Sequence, residues 1–311
     1  MNPPPYNDFI RYLAAKVSVD DRALNHHVWQ RLAYELRASS SDEPLRVLEI
    51  GAGIGTMIAR ILAQDLLPGD AHITALDASA ENIAVAAQRL PHWAAASGFT
   101  CATQRGSLSL KRGKQHIVVD LVAVNLFDFV QQTHHRPWDL AIAHAFLDLV
   151  DIPSTLPQVF RLLRESGLFY FTLNFDGVTA LEPPLDAAFD AQIEALYHQT
   201  MDERRVNGKP SGDSRAGRHL FRHLREAGAR ILAAGSSDWV VFAGPDGYPA
   251  DEAYFLHFLV DTIGAALQDH PQIDTQRLSA WVTARHDQIA RGELVYIAHQ
   301  LDVVGRVGGR A

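Results

Sequence analysis

The stretch Val47-Leu48-Glu49-Ile50-Gly51-Ala52-Gly53-Ile54-Gly55-Thr56 constrains this chain more than any other. An apolar run contains an acid, three glycines alternate with small or apolar residues, and an apolar helical pattern follows. Such a run reads as a buried strand delivering the backbone to a turn. Glycines there permit positive φ and let a ligand approach the main chain closely. The helix predicted from Ile54 points its free N–H groups at the same spot. A nucleotide-like ligand is the natural occupant. A pyrophosphate seated on a helix N-terminus asks for G-x-G-x-x-G. Here the glycines fall as G-x-G-x-G, and Thr56 stands where the third glycine of that pattern belongs. Glu49 would repel a pyrophosphate and suits a cationic ligand.

Strands and helices alternate from this point on, the pattern of a parallel sheet flanked by helices. Strands are predicted at Leu45–Ile50 and Ala71–Leu76. The helix Ile54–Leu66 lies between them, and a second helix, capped by Ser79, ends near Pro91. Phe99–Leu110 and Gln115–Val124 read as a hairpin around the basic turn Lys111–Lys114. A fourth strand, Leu140–Ala145, precedes a helix over Ser154–Glu165 and a fifth strand over Leu168–Asn174. Further helices are expected at Leu185–Arg205, Arg218–Ala227, Asp251–Gln268 and Thr275–Arg291, with strands at Ile231–Phe242 and Leu294–Val304. Before all of this, residues 7–38 show helical periodicity broken at Ser18–Asp21.

The glycine segment closely resembles motif I of the class I S-adenosylmethionine-dependent methyltransferases, E/D-x-G-x-G-x-G after the first strand. The resemblance implies a Rossmann-like, seven-stranded, mostly parallel α/β sheet with helices on both faces. It also implies S-adenosylmethionine as cofactor, its amino-acid end held by Glu49, Gly51, Ala52, Gly53 and Gly55. Asp77, at the carboxyl end of the second strand, matches the family's acid for the ribose hydroxyls, with Ala78 beside the adenine; a plain helix N-cap role is compatible with this. Val124–Phe129 resembles the loop after strand three, G-D-A-x-D-L. On that alignment Asn125, Leu126 and Phe127 contact the adenine, and Arg105–Leu108 is the competing position. Trp138–Asp148 resembles the strand-four motif F-D-L-V-x-x-x-x-x-L-H. Its end makes His144 and Phe146 candidates for cofactor or acceptor contact. His144 is also a candidate general base, since an ordinary imidazole titrates near neutral pH.

The acceptor is less legible. Asn174 ends strand five and is expected to line the acceptor side. Tyr197, His198, Met201 and Arg204 or Arg205 recur at helical spacing, so one face is expected to cover a pocket; a solvated helix has the same polarity. Tyr12 is a further candidate. The domain reading is a helical cap over residues 1–43 and a methyltransferase domain over 44–311, with helical lid insertions at about 178–216 and 245–292.

Charge and composition narrow the partners. With 28 basic against 36 acidic residues the net charge is −8, which offers no basic stripe to track nucleic acid phosphates. No apolar run approaches the roughly 20 residues that span a bilayer. Met1–Pro5 has no basic region and no apolar run of a secretory signal. Cys101, the single cysteine, excludes an internal disulfide and a cysteine-built zinc site. The adjacent pairs His26-His27 and His134-His135 read as surface or packing residues, so no metal is expected. No N/D-P-P-Y/F tetrad follows strand four. The expectation is a cytoplasmic monomer or homodimer that methylates a small molecule, without a nucleic-acid or membrane partner. The alternatives left open are a non-catalytic S-adenosylmethionine-binding protein and a methyltransferase for protein or RNA. A nicotinamide-dependent oxidoreductase is disfavoured by the glycine spacing and Glu49.

Overall fold

The computed structural model describes residues 6–39, 43–104, 106–133, 138–206 and 208–308. Three helices come first: α1 (Phe9–Ala15), α2 (Val17–Ala23) and α3 (His26–Ala38). The alternating region contains β1 (Leu45–Ile50), α4 (Thr56–Ala63), β2 (Ala71–Asp77), α5 (Ala80–Ala96), β3 (Thr100–Gln104), β4 (Ser107–Arg112), β5 (Gln115–Ala123), α6 (Leu126–Gln132) and β6 (Trp138–His144). After a 3-10 turn at Leu147–Leu149 come α7 (Ile152–Leu162), β7 (Leu163–Glu182), α8 (Ala187–Asp202) and the small hairpin β8 (Arg205–Val206) and β9 (Lys209–Pro210). The chain then runs through α9 (Ala216–Glu226), β10 (Ala229–Ser236), β11 (Trp239–Val241), α10 (Glu252–Leu267), α11 (Thr275–Ala290) and β12 (Val295–Val307).

Ten strands make one sheet in the order β10-β12-β7-β6-β1-β2-β5-β4-β3, with β11 joined to β12. The inner strands β7, β6, β1, β2 and β5 are parallel, whereas β12 and β10 at one side and β4 and β3 at the other run antiparallel to their neighbours. The predicted seven-stranded mostly parallel sheet is therefore present, extended by β3, β4 and β11. Because β1 lies between β2 and β6, the strand order reverses there, and the carboxyl ends of these strands open a crevice.

Three apolar cores follow from this topology. One packs α3, α4 and α5 on one face of the sheet, through residues such as Leu32, Ile58 and Leu90. Another packs α6, α7 and α9 on the opposite face, through Val130, Leu156 and Leu220. The third joins α1, α2, α8, α10 and α11 to β7, β11 and β12 through Phe175, Ile193, Phe255, Trp281 and Tyr296.

Several boundaries differ from the sequence expectation. The first helical segment breaks at Lys16 and again at Leu24, not at Ser18–Asp21; Asn25 caps α3 by accepting the Val28 N–H at 3.1 Å. Pro91 lies inside α5 and does not end it. Leu90 and Ala94 on either side are buried in the core, and that packing carries the helix across a residue that costs about 3 kcal/mol in a helix interior. The predicted helix Ser154–Glu165 stops at Leu162, and β7 then runs for 20 residues, far beyond Asn174. Leu173 breaks its regularity with φ of 54°. The register with β12 shifts between Leu301 and Val303 at this point, and Asp302 Oδ1 accepts the Leu173 N–H at 2.8 Å. The predicted strand Ile231–Phe242 is divided into β10 and β11. Among the described residues, no helix is long and apolar enough to cross a membrane, and no group of three or more His, Cys, Asp or Glu is placed to hold a metal ion. His134-His135 lies outside the described residues.

Candidate active site

The turn after β1 is built as its glycines require. Gly51 and Gly53 sit at φ of 69° and 54°, where a side chain costs roughly 1–2 kcal/mol. A Cβ on Gly51 would also meet the Phe146 ring at 2.9 Å, so Phe146 lies directly over the turn. Leu13 of α1 reaches the neighbouring glycine, with its Cδ1 3.6 Å from where a Gly53 Cβ would stand. The ends of β1 and β2 are stitched together here. Asp77 Oδ2 accepts the Gly53 N–H at 2.8 Å, and its Oδ1 accepts from the Ser79 N–H at 2.8 Å and Asn82 Nδ2 at 3.1 Å. Ser79 caps α5 through the Asn82 N–H. Asp77 thus fixes the turn as well as the strand end, while Ala78 beside it is exposed.

Glu49 points the other way energetically. It is 2% exposed, and its Oε2 has no hydrogen-bond partner among the described residues. Burial pushes its carboxyl up to about 8; the Arg60 guanidinium opposes that rise and Asp77 adds to it. Arg60 is itself tied to Asp21 at 2.6 Å. A buried acid left without a donor is costly, and a ligand ammonium would relieve it.

The strand paired with β2 is β5, and the loop after it, held by the Val124 N–H on Asp77 O at 2.9 Å, lies beside Asp77. Asn125 in that loop caps α6 by accepting the Phe127 N–H at 2.9 Å, with Leu126 buried next to it. Of the competing position, Arg105 lies outside the described residues, and Ser107 starts β4, one strand further from β2.

His144 ends β6, but both of its nitrogens are taken. Nε2 lies 3.1 Å from Asp20 Oδ2 and Nδ1 lies 2.8 Å from Thr172 Oγ1. Asp20, buried in α2, also accepts from Trp239 Nε1 at 2.9 Å and pairs with Lys16 Nζ at 2.9 Å. Lys16 and His144 hold the Asp20 carboxyl well below the usual range against its burial. An ionised Asp20 can only accept, so His144 donates through Nε2 and accepts from Thr172 through Nδ1. Burial pulls the imidazole down to about 4, partly opposed by Asp20. The ring is neutral and has no nitrogen turned toward an acceptor. The general-base expectation for His144 therefore meets a ring that ties β6 to α2. Ala145 follows at φ of 50°.

The family model for a methyltransferase domain matches residues 48–169. This span runs from β1 through the glycine turn, Asp77, the β5 loop and the end of β6 into β7. The match is to a methyltransferase domain over these residues, the same stretch in which the sequence resembles the class I S-adenosylmethionine-dependent enzymes. No curated protein sequence matches the chain. Among solved structures, the chain resembles the (4+2) cyclase SpnF at 16% identity and a TM-score of 0.44, covering 98% of this chain and 96% of that one. It resembles the YcgJ protein of Bacillus subtilis at 11% identity and a TM-score of 0.46, covering 92% and 100%. A phosphoethanolamine N-methyltransferase 2 of Haemonchus contortus is similar at 12% identity and a TM-score of 0.43, covering 97% and 58%.

The residues of the crevice fit the S-adenosylmethionine that the sequence resemblance implies. The orphaned Glu49 oxygen matches the ammonium of the methionine end, the glycine backbone leaves room for that end, and Asp77 stands at the carboxyl end of β2. On the acceptor side, the expected residues separate. Tyr12 and Tyr197 pack in the helical core with Ala145 and Met201. His198 turns away to Thr179 Oγ1 at 3.2 Å and to the Phe175 ring. Arg204 donates to Ser211 O at 2.7 Å and Asp148 O at 3.0 Å, so it anchors the turn after β6. Asn174 is fully buried and donates to Leu301 O at 2.7 Å, which holds β12. Asp20 and Lys16, the partners around His144, and the turn residue Asp148 were not singled out by sequence. For Asp148 a signal existed, because it takes the place of the histidine in the L-H pair of the strand-four motif.

Proposed function

We propose that this chain transfers the methyl group of S-adenosylmethionine to a small-molecule acceptor. The observation that carries the donor half is the buried Glu49 carboxyl beside the glycine turn, whose Oε2 has no hydrogen-bond partner among the described residues. In this reading Glu49, Gly51, Ala52, Gly53 and Gly55 hold the methionine end, Asp77 the ribose, and Ala78, Asn125, Leu126 and Phe127 the adenine. The bound cofactor supplies a methyl group already activated on a sulfonium. The protein's own work is then to place the acceptor in line and to exclude water. Phe146 lies over Gly51 and Leu13 beside Gly53, on the donor side. His144 positions the end of β6 through Asp20 and Thr172.

The acceptor half rests on enclosure. In this reading the helical cap and lid insertions expected from sequence are represented by α1, α2, α8, α10 and α11, which pack on β7, β11 and β12 through aromatic side chains such as Phe175, Phe255, Trp281 and Tyr296. That cover, with the acidic overall charge, suits a small molecule better than a nucleic acid. The setting in this reading is a cytoplasmic monomer or homodimer. Calorimetry with S-adenosylmethionine and S-adenosylhomocysteine should show binding, and small acceptors should release S-adenosylhomocysteine. Release from protein or RNA pools alone would overturn the small-molecule reading. Binding with no turnover on any pool would make the chain a non-catalytic carrier of the cofactor.

A further inference from the structure

We infer that a cleft along β7 and α8 binds a zwitterionic small molecule, Glu194 taking its ammonium and Arg215 its carboxylate. This site goes beyond methyl transfer and does not rest on it. Two adjoining hollows make the cleft. The first, of about 290 Å³, is walled by Thr179–Glu182 at the end of β7, by α8 and by Ile263 of α10. The second, of about 360 Å³, lies between Gly177, the later turns of α8 and the Ser214-Arg215 segment. Ala191 and Glu194 line both, so the hollows meet at those residues. Helical spacing explains the continuity. Ala187, Ala191, Glu194, His198 and Asp202 follow one another at helical i,i+3 or i,i+4 steps and share one face of α8.

The two signs of charge are divided along this face. Glu194 Oε1 accepts the Thr179 N–H at 3.1 Å, which leaves its Oε2 without a partner among the described residues. Asp190, in the same hollow, is spent on Trp281 Nε1 at 2.6 Å and Arg285 Nη2 at 2.7 Å. His198 turns Nε2 to Thr179 Oγ1 at 3.2 Å. Burial lowers its imidazole against the pull of Glu194 and Asp202, so the ring is neutral and gives Glu194 no counter-charge. At the far end Asp202 accepts the Ser214 N–H at 2.7 Å and the Ser214 hydroxyl at 3.1 Å, which seats the next residue, Arg215, on the second hollow. The Arg215 stem crosses Gly177, where a Cβ would stand 3.1 Å from Arg215 Cγ. Its guanidinium makes no hydrogen bond or ion pair with a described residue. An uncommitted carboxylate oxygen and an uncommitted guanidinium thus share one cleft, with small or apolar residues such as Ala191, Ala195 and Leu181 between and beside them. An amine alone would meet Arg215 as a like charge, and a carboxylate alone would meet Glu194 and Asp202. A molecule carrying both signs suits both ends, and the guanidinium fork can hold its carboxylate through two N–H donors. Asp202 lies two turns of α8 beyond Glu194, so the ligand's charges stand on the order of 10 Å apart, as in an ω-amino acid.

The test is calorimetry on the full chain without S-adenosylhomocysteine, so that the donor crevice plays no part. The probes are ω-amino acids from 3-aminopropanoate to 6-aminohexanoate, each compared with the amine, the carboxylate and the diamine of the same chain length. At least one amino acid is expected to bind tenfold or more tightly than each of its three counterparts. Glu194→Gln, whose amide oxygen can still accept the Thr179 N–H, should bring that amino acid down to the affinity of its carboxylate. Arg215→Gln should bring it down to the affinity of its amine. Ala191→Phe, where the hollows meet, should remove the preference while both charges stay in place. Circular dichroism and Tm of the three variants should match the parent. An amino acid series with no tenfold preference, a diamine bound as tightly as the amino acid, or a preference unchanged in either charge variant overturns the inference.

Discussion

Replacing Glu49 by glutamine separates what this residue costs the fold from what it gives the ligand. Burial raises its carboxyl from 4.5 to about 8 in the free protein. A raised value means that the folded protein keeps a proton which the unfolded chain sheds. The stability tied to this group is therefore full below pH 4.5 and drains away as the pH rises toward 8. By pH 7 the loss amounts to about 3 kcal/mol. Glutamine has the same shape and no charge to desolvate, so ligand-free Glu49→Gln should be more stable at pH 7 by up to that amount. The corresponding rise in Tm is on the order of 5 °C. At pH 4 the two proteins should unfold alike. With S-adenosylhomocysteine that advantage shrinks. Losing the charged partner of an ammonium costs about 1.5–3 kcal/mol, roughly a ten- to hundredfold weaker Kd. Binding to the parent should also release a proton below pH 8, read as a dependence of calorimetric heat on buffer ionisation, and the variant should release less. A glutamine variant no more stable than the parent at pH 7, or one binding S-adenosylhomocysteine equally well, would refute the reasoning.

Other substitutions probe the same crevice. Asp77→Ala should abolish cofactor binding measured by calorimetry while far-ultraviolet circular dichroism stays unchanged; unaltered affinity would mean the site is misplaced. Gly53→Val puts a β-branched residue at φ of 54° beside Leu13 and should likewise eliminate binding. His144→Ala should lower activity by the same factor from pH 6 to 9, because the imidazole is held near 4 and is neutral throughout. A loss that disappears at high pH would restore its role as a base. Asp20→Asn breaks a buried charge cluster worth about 3–5 kcal/mol when one partner is removed. Because the Asp20 carboxyl is depressed, that stabilisation is present above its ordinary range and lost on acidification. Chemical denaturation at pH 7 and pH 3 should show the difference between parent and variant shrinking at the lower value.

The donor half of the crevice was legible because its chemistry is local. Three glycines, an acid two residues before them and an aspartate at the end of the next strand sit within a short stretch of chain, and each is read from its own turn or strand end. The acceptor half draws on residues far apart in sequence. Asp20, paired with Lys16, reaches His144 from the N-terminal helices, and Trp239 reaches Asp20 from β11. Nothing in the local pattern around His144 announces that both its nitrogens are occupied. The length of β7 was hidden for another reason. Glu165-Ser166-Gly167 reads as a turn, and Ser166 does sit at φ of 58°. The Arg306 guanidinium nevertheless takes the Ser166 carbonyl at 2.8 Å, and pairing with β12 on one edge and β6 on the other keeps the strand going. Pro91 misled in the same way, since burial of Leu90 and Ala94 outweighs a local breaker.

The irregular point in β7 ties separate parts of the molecule to one strand. Thr172, just before it, holds His144 at the end of β6. The last residues, Thr179–Glu182, line a cavity of about 290 Å³ between β7, α8 and α10. Between them stands Leu173, whose N–H is taken by Asp302 Oδ1 while Asp302 Oδ2 takes the Asn25 N–H, both at 2.8 Å. One carboxyl group thus fixes the middle of the longest strand and the start of α3 at once, so a change at Asp302 should disturb the end of β6 and the cavity wall together.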